Sequence, residues 1–296
     1  MRRLLSVLLL AWLWPLTAAA HDILLTAATE SPGVRAFVHS LEQRRSADQV
    51  RFLPVAELPA PGRIKPTTRL ILLDTAALDW RLGETTGPPA LVMRISRVQA
   101  NQRFGRVPPH YLSLLWSDPS PARQLRLIRY LLPHARRVGV LYSEQSRFLL
   151  DELNQSAQQL GLHINAQAWP DPRDNRPLQA LLQGSDVVLG LDDPGLYNPR
   201  TVKNLLLSSY ARQMPLIGPT AGFVKAGGLA STFSNKHDWL RVLDRLLDQA
   251  PAKWPRTHYP ERFGVIGNPQ VARALGIEPI EPAAATKVVA EGEPTP

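Results

Sequence analysis

Two α/β lobes, each built on a mostly parallel sheet with helices on both faces, are the fold that this sequence predicts. Three observations carry that reading. Short apolar runs without polar alternation recur along the chain, Val187 to Leu191 being the clearest, as in strands buried on both faces. Segments with apolar residues at helical spacing separate these runs, which is βαβ logic and calls for parallel pairing. The alternation then starts afresh beyond residue 120, so a first lobe over 21–120 and a second over 121–277 are expected, the last segment being able to cross back to the first.

Taken in order, Ile23-Leu24-Leu25 reads as a strand ending at Thr26. Ser31 is an N-cap with Pro32 in the first helical position, and Val34, Phe37, Val38 and Leu41 keep helical spacing to about Arg45. Strands follow at Val50 to Val55 and at Thr68 to Leu73. The latter closes on Asp74-Thr75 before an Ala-rich helical stretch containing Leu78 and Trp80. A fourth strand, Ala90 to Ile95, ends at Ser96. Arg97 to Ser117 gives no clear helix, and Tyr111 to Trp116 reads as a strand.

In the second set, Ser120-Pro121 opens a helix with Leu125, Ile128 and Leu132 on one face, ended by Pro133. Arg137 to Tyr142 is a strand, Ser146 to Leu160 an amphipathic helix stopped by Gly161, and Leu162 to Ala168 a strand. A short helix over Leu178 to Leu182 precedes the strand at Val187. A helix from Thr201 to Ala211 and a strand over Pro215 to Gly218 complete the set. The tail over 278–296, rich in Pro, Ala, Glu and Thr, has few large apolar residues and is predicted to be disordered.

Composition narrows the class. With 296 residues, 44% of them hydrophobic and 20% charged, the chain can bury a sizeable core. Its net charge of +9 does not imply nucleic acid, because the 34 basic residues are scattered singly, without a Lys/Arg block or interleaved aromatics. The first twenty residues have the form of a secretory signal: Arg2-Arg3, an apolar stretch from Leu4 to Leu16, and small residues at Ala18-Ala19-Ala20. Cleavage after Ala20 and a periplasmic location are expected, with no membrane span left afterwards. The absence of cysteine excludes disulfides and thiol catalysis despite export. Cleavage would expose His21, but the other histidines show no metal-ligand spacing, so neither a metal site nor a cofactor is expected.

The strand from Val187 stops at two carboxylates, Asp192 and Asp193, followed by Pro194 and Asn198. Open α/β sheets bind ligands outside the carboxyl ends of their strands, which makes this a natural binding position. Adjacent side chains on an extended segment diverge, so the pair is poor geometry for two-carboxylate catalysis. No nucleophile elbow, phosphate loop or metalloprotease helix appears, and an enzyme is not expected.

Four stretches carry a resemblance: Pro133 to Tyr142, Asp186 to Asn198, Met214 to Gly218 and Phe223 to Ser231. They resemble the substrate-binding proteins of ABC transporters, in the periplasmic-binding-protein-like group of type I topology. Asn268 with Ala272, Leu275, Gly276 and Ile277 looks like that family's closing motif, and the similarity is best from about 120 to 232. The resemblance implies two doubly wound lobes joined by a hinge and closing over a small molecule, with an ABC permease as partner. On that arrangement Asp192 would contact an amine or hydroxyl, and Asp193 would orient it or cap the next helix. Tyr142 and Ser143, Thr220 and Phe223 follow corresponding strand ends of lobe 2, although such aromatics are more often core than ligand platform. Thr26, Thr75 and Ser96 face them from lobe 1. Asp74 sits where the family tends to carry Gly, on the ligand-facing side. A protein of the same fold that signals to a membrane receptor without transport is the alternative.

Overall fold

The computed structural model describes residues 20–293, so the segment with the form of a signal lies outside the described residues except for Ala20. The first lobe is laid down by β1 (Asp22–Ala27), α1 (Pro32–Arg44), β2 (Gln49–Pro54), β3 (Arg69–Leu72), α2 (Thr75–Leu82), β4 (Ala90–Met93), α3 (Arg97–Phe104) and β5 (Leu112–Leu115). The second begins with α4 (Pro121–Leu131) and β6 (Arg137–Tyr142), then α5 (Leu150–Gln159), β7 (His163–Ala168), α6 (Arg176–Gln183) and β8 (Val187–Leu189). It continues through α7 (Pro199–Tyr210), β9 (Leu216–Ile217), α8 (Ala221–Ala226) and β10 (Ala230–Phe233). Then α9 (Lys236–Leu247) and β11 (Thr257–His258) return to lobe 1, and β12 (Gly264–Gly267), α10 (Pro269–Ala274) and α11 (Pro282–Glu291) belong to lobe 2.

Each lobe holds a six-stranded sheet, ordered β11-β5-β4-β3-β1-β2 in the first and β12-β10-β9-β8-β6-β7 in the second. All pairings are parallel except β10 with β12. The period of two along each strand sorts the core. Ile23, Leu25, Ile71 and Leu91 pack under α1 and α9, whereas Leu24, Leu70, Leu72 and Val92 pack under α2 and α3. The strands called from unbroken apolar runs are therefore covered on both sides.

Three elements depart from the sequence expectation. Arg97 to Phe104 is a helix, started by a capping box in which Ser96 and Gln99 exchange hydrogen bonds. Its buried residues are only Val98 and Ala100, too few to leave an apolar stripe in the sequence. The segment through α9 and β11, inside the range 121–277, sits in lobe 1, so the chain crosses between lobes three times. The apolar face of α9, with Leu240, Leu243 and Leu247, would suit either lobe, and sequence spacing holds no clue to which it covers. The tail is also corrected. α11 packs on α4 and β12, burying Ala285 and Val289, and Glu293 pairs with Arg123 and with Arg126 at 3.1 Å. A helix that buries one narrow stripe needs few large apolar residues.

Candidate functional site

The carboxyl ends of the two sheets face one another where the lobes meet. Ser96, just past β4, donates its hydroxyl to the backbone carbonyl of Asp192, past β8, at 3.4 Å. Asp118, past β5, and Asp192 line one small cavity together with Gly190, Gln124, Leu149 and Pro219. Its volume is about 30 Å³, roughly the share of one water molecule in the liquid.

The acids in this cavity are desolvated. Burial first, and then the charge of Asp192, pushes the Asp118 carboxyl up to about 7, although the Arg97 backbone N–H donates to it at 3.0 Å. Burial, and then the neighbouring Asp193, pushes Asp192 up to about 6. The charge of Arg97 partly offsets the shift at Asp118, whereas Asp192 feels only burial and Asp193, and a carboxyl so placed in a low-dielectric cleft gains most from a donor that brings its own positive charge.

Asp193 has a different place from Asp192. It is 1% exposed and accepts hydrogen bonds from Ser143 Oγ and Ser146 Oγ, both at 2.6 Å, and from the Gly195 N–H at 2.9 Å. It ties the loop after β8 to the loop after β6, and Ser143 is engaged in the same knot. The diverging directions expected for adjacent residues on extended backbone separate the two acids: one turns into lobe 2, the other lines the cleft.

Three of the other sequence candidates cap helices. Asn198 Oδ1 accepts from Arg200 N at the start of α7, Thr220 accepts from Phe223 N at α8, and Asp74 accepts from Ala77 N at α2. Asp74 also accepts from Ala28 N at 2.7 Å, holding the turn after β1, with Thr75 next to it in the first turn of α2. Phe223 is buried in the lobe 2 core, edge-on to Tyr197 at 6.0 Å. Tyr142 lies half-buried against the other lobe 2 core. Thr26 is fully buried at the end of β1, and its hydroxyl has no partner among the described residues. The structure thus brings Asp192 and Ser96, the cap of α3, together across the lobes and leaves the caps Asp74, Asn198 and Thr220 within their own lobes.

Sequence reasoning missed Asp118 and Arg97. Asp118 carries the same signature as Asp193, an acid followed by Pro just after an apolar strand, and could have been found on that basis. Arg97 lies in the stretch where no helix was legible.

No family model matches the chain, and no curated protein matches it. Solved structures do. A ligand-free, open substrate-binding protein with adhesive properties from Clostridium difficile superposes with a TM-score of 0.65 at 18% identity, over 88% of this chain and 96% of that one. The chain has the fold of ABC-transporter substrate-binding proteins. A conserved domain protein from Vibrio cholerae matches at 0.60 and 17% identity, over 90% and 97% of the two chains. An ABC domain from Streptococcus pneumonia in complex with L-Trp matches at 0.58 and 18%, over 88% and 95%. Asp118 and Asp192 lie past the carboxyl ends of β5 and β8, where open α/β sheets in general bind ligands.

Proposed function

We propose that the protein is a periplasmic solute-binding protein that captures a small molecule between its lobes for delivery to an ABC importer. The observation that carries this is the convergence of Asp118, past the last strand of lobe 1 before the crossing, and Asp192 of lobe 2 on a single cavity, next to the Ser96–Asp192 hydrogen bond that joins the lobes. At about 30 Å³ the cavity is too small for a solute, so the lobes must part for entry, by bending at the three crossings between them. The acidic pair favours a solute bearing an ammonium group, which fits the amino-acid complexes among the solved structures of this fold. Export supports the same reading: the N-terminal segment has the form of a cleaved signal, and no described helix is long and apolar enough to cross a membrane. A binding role rather than catalysis fits the solved structures of this fold, which are binding proteins.

Calorimetric titration against a panel of amino acids and small amines tests the reading. A member of the panel should bind wild type, and Asp192→Ala should weaken it by about 1.5–3 kcal/mol, roughly ten- to a hundred-fold, the worth of a charge-assisted hydrogen bond. Unchanged affinity in Asp192→Ala would move the site elsewhere.

A further inference from the structure

The first turn of α3 belongs to lobe 1 by sequence and topology but makes its contacts in lobe 2. The Arg97 guanidinium donates to Glu152 Oε2 of α5 at 2.5 Å and stands 5.7 Å from the ring centre of Phe148, also in lobe 2. The same guanidinium nitrogen donates to the Tyr259 hydroxyl, on the crossing that follows β11, at 3.1 Å, while the Arg97 backbone N–H holds Asp118 on the crossing that follows β5. Val98 is 1% exposed and packs in the lobe 2 core with Leu125, Leu149 and Leu153. Ala100, two residues on and so on the opposite side of the helix, packs in the core of lobe 1. The other ion pair of this helix, Arg103 with Asp79 at 2.6 Å, stays within lobe 1.

We infer that the first turn of α3 is the latch of the closed form, Arg97 being its polar half and Val98 its apolar half. The inference rests on the solute-capture reading above, since a latch has meaning only if the lobes part. The Arg97–Glu152 contact spans the boundary, so a hinge opening of a few ångströms breaks it, and Val98 is drawn out of lobe 2 by the same motion. Both contacts are made in the closed form alone, so each biases the equilibrium toward closure, and by linkage each raises the apparent affinity for whatever the closed cleft holds. Arg97 is a positioning residue here: it touches Asp118, which lines the cavity, and not the cavity itself.

The chain lacks cysteine, so Ala36→Cys on α1 and Lys203→Cys on α7, both exposed, give one clean spin-label pair across the lobes. Distance distributions by pulsed electron resonance are compared for the labelled parent, Arg97→Ala, Val98→Ala, the reversal Arg97→Glu with Glu152→Arg, and Arg103→Ala. Removing an interlobe ion pair should raise the open-to-closed ratio about fivefold, with the reversal restoring most of it and Arg103→Ala changing nothing. Val98→Ala should shift it in the same direction without regard to salt, whereas the Arg97 effect should shrink at high salt. Two populations in the parent that Arg97→Ala and Val98→Ala leave unmoved would overturn the latch and leave solute capture standing. One narrow distance shared by every variant, and unchanged by a panel of amino acids, would overturn both. A fall in melting temperature in Arg97→Ala without a change in distances would mark it as a residue of lobe 1 stability only, which also rejects the latch.

Discussion

Replacing Asp193 by Ala should unfasten lobe 2, although the residue stands beside the proposed ligand contact. Its carboxylate takes two serine hydroxyls at 2.6 Å and one backbone N–H at 2.9 Å, and Ser146 is itself fully buried, away from bulk solvent. Hydrogen bonds to a charged group are worth about 1.5–3 kcal/mol each, and the buried donors left behind add a desolvation penalty. Because the three bonds share one carboxylate and one loop they are not additive, and a loss of roughly 3–5 kcal/mol is expected. For a unit the size of one lobe that corresponds to a fall in Tm of about 6–15 °C. Asp193→Asn, which keeps one acceptor oxygen and turns the other into an amide NH2 to which a serine oxygen can accept, should lose about half as much. Urea unfolding followed by circular dichroism, with thermal melts alongside, measures both variants. A loss under about 1 kcal/mol for Asp193→Ala would refute the view that Asp193 is structural, and would return it to the list of ligand contacts.

The remaining predictions follow from charge and packing. Asp118 titrates near 7 in the folded chain and near 3.8 when unfolded, so the native state holds the extra proton between those values and stability should fall as pH rises from about 4 to 7. Asp118→Asn, which still accepts from Arg97, should flatten that fall and exceed wild type in urea midpoint above pH 7. Asp186, held down to about 2 first by its hydrogen bond from Arg137, acts oppositely: its contribution is full above about 4 and is lost as pH drops toward 2. Truncation after Ile280 uncovers the core sites of Ala285 and Val289 and leaves Arg123 without Glu293, so Tm should fall by several degrees. A truncated chain that melts like the full one would mean that α11 contributes nothing. N-terminal sequencing of the exported protein should begin at His21, whose backbone nitrogen lies 2.8 Å from Asp48 Oδ1 and would bring an ammonium to that carboxylate after cleavage.

What could be seen in the sequence was whatever depends on local period and on strand ends. Unbroken runs such as Leu70 to Leu73 and Val187 to Leu191 announced two-sided burial, and the pairs Ser31-Pro32 and Ser120-Pro121 announced where helices start. The alternation of strands and helices followed from these. α3 was hidden because a helix with Val98 turned toward one lobe and Ala100 toward the other presents no single apolar face. The return of α9 to lobe 1 depends on which lobe offers the complementary surface, a tertiary fact without a local signature. At the candidate site, Asp192 could be singled out because an acid ending an apolar strand is a local feature, but the different placement of Asp193 was decided by Ser143 and Ser146, fifty and forty-seven positions away along the chain.

The central claim is that the cleft between Asp118 and Asp192 captures a small solute, and native mass spectrometry of the protein purified from its own source tests it most directly. Wild type should carry a small molecule that leaves on denaturation, and Asp192→Ala prepared in the same way should carry less of it. A wild-type mass equal to that of the bare polypeptide, unchanged after incubation with the amino-acid and amine panel, would contradict the account.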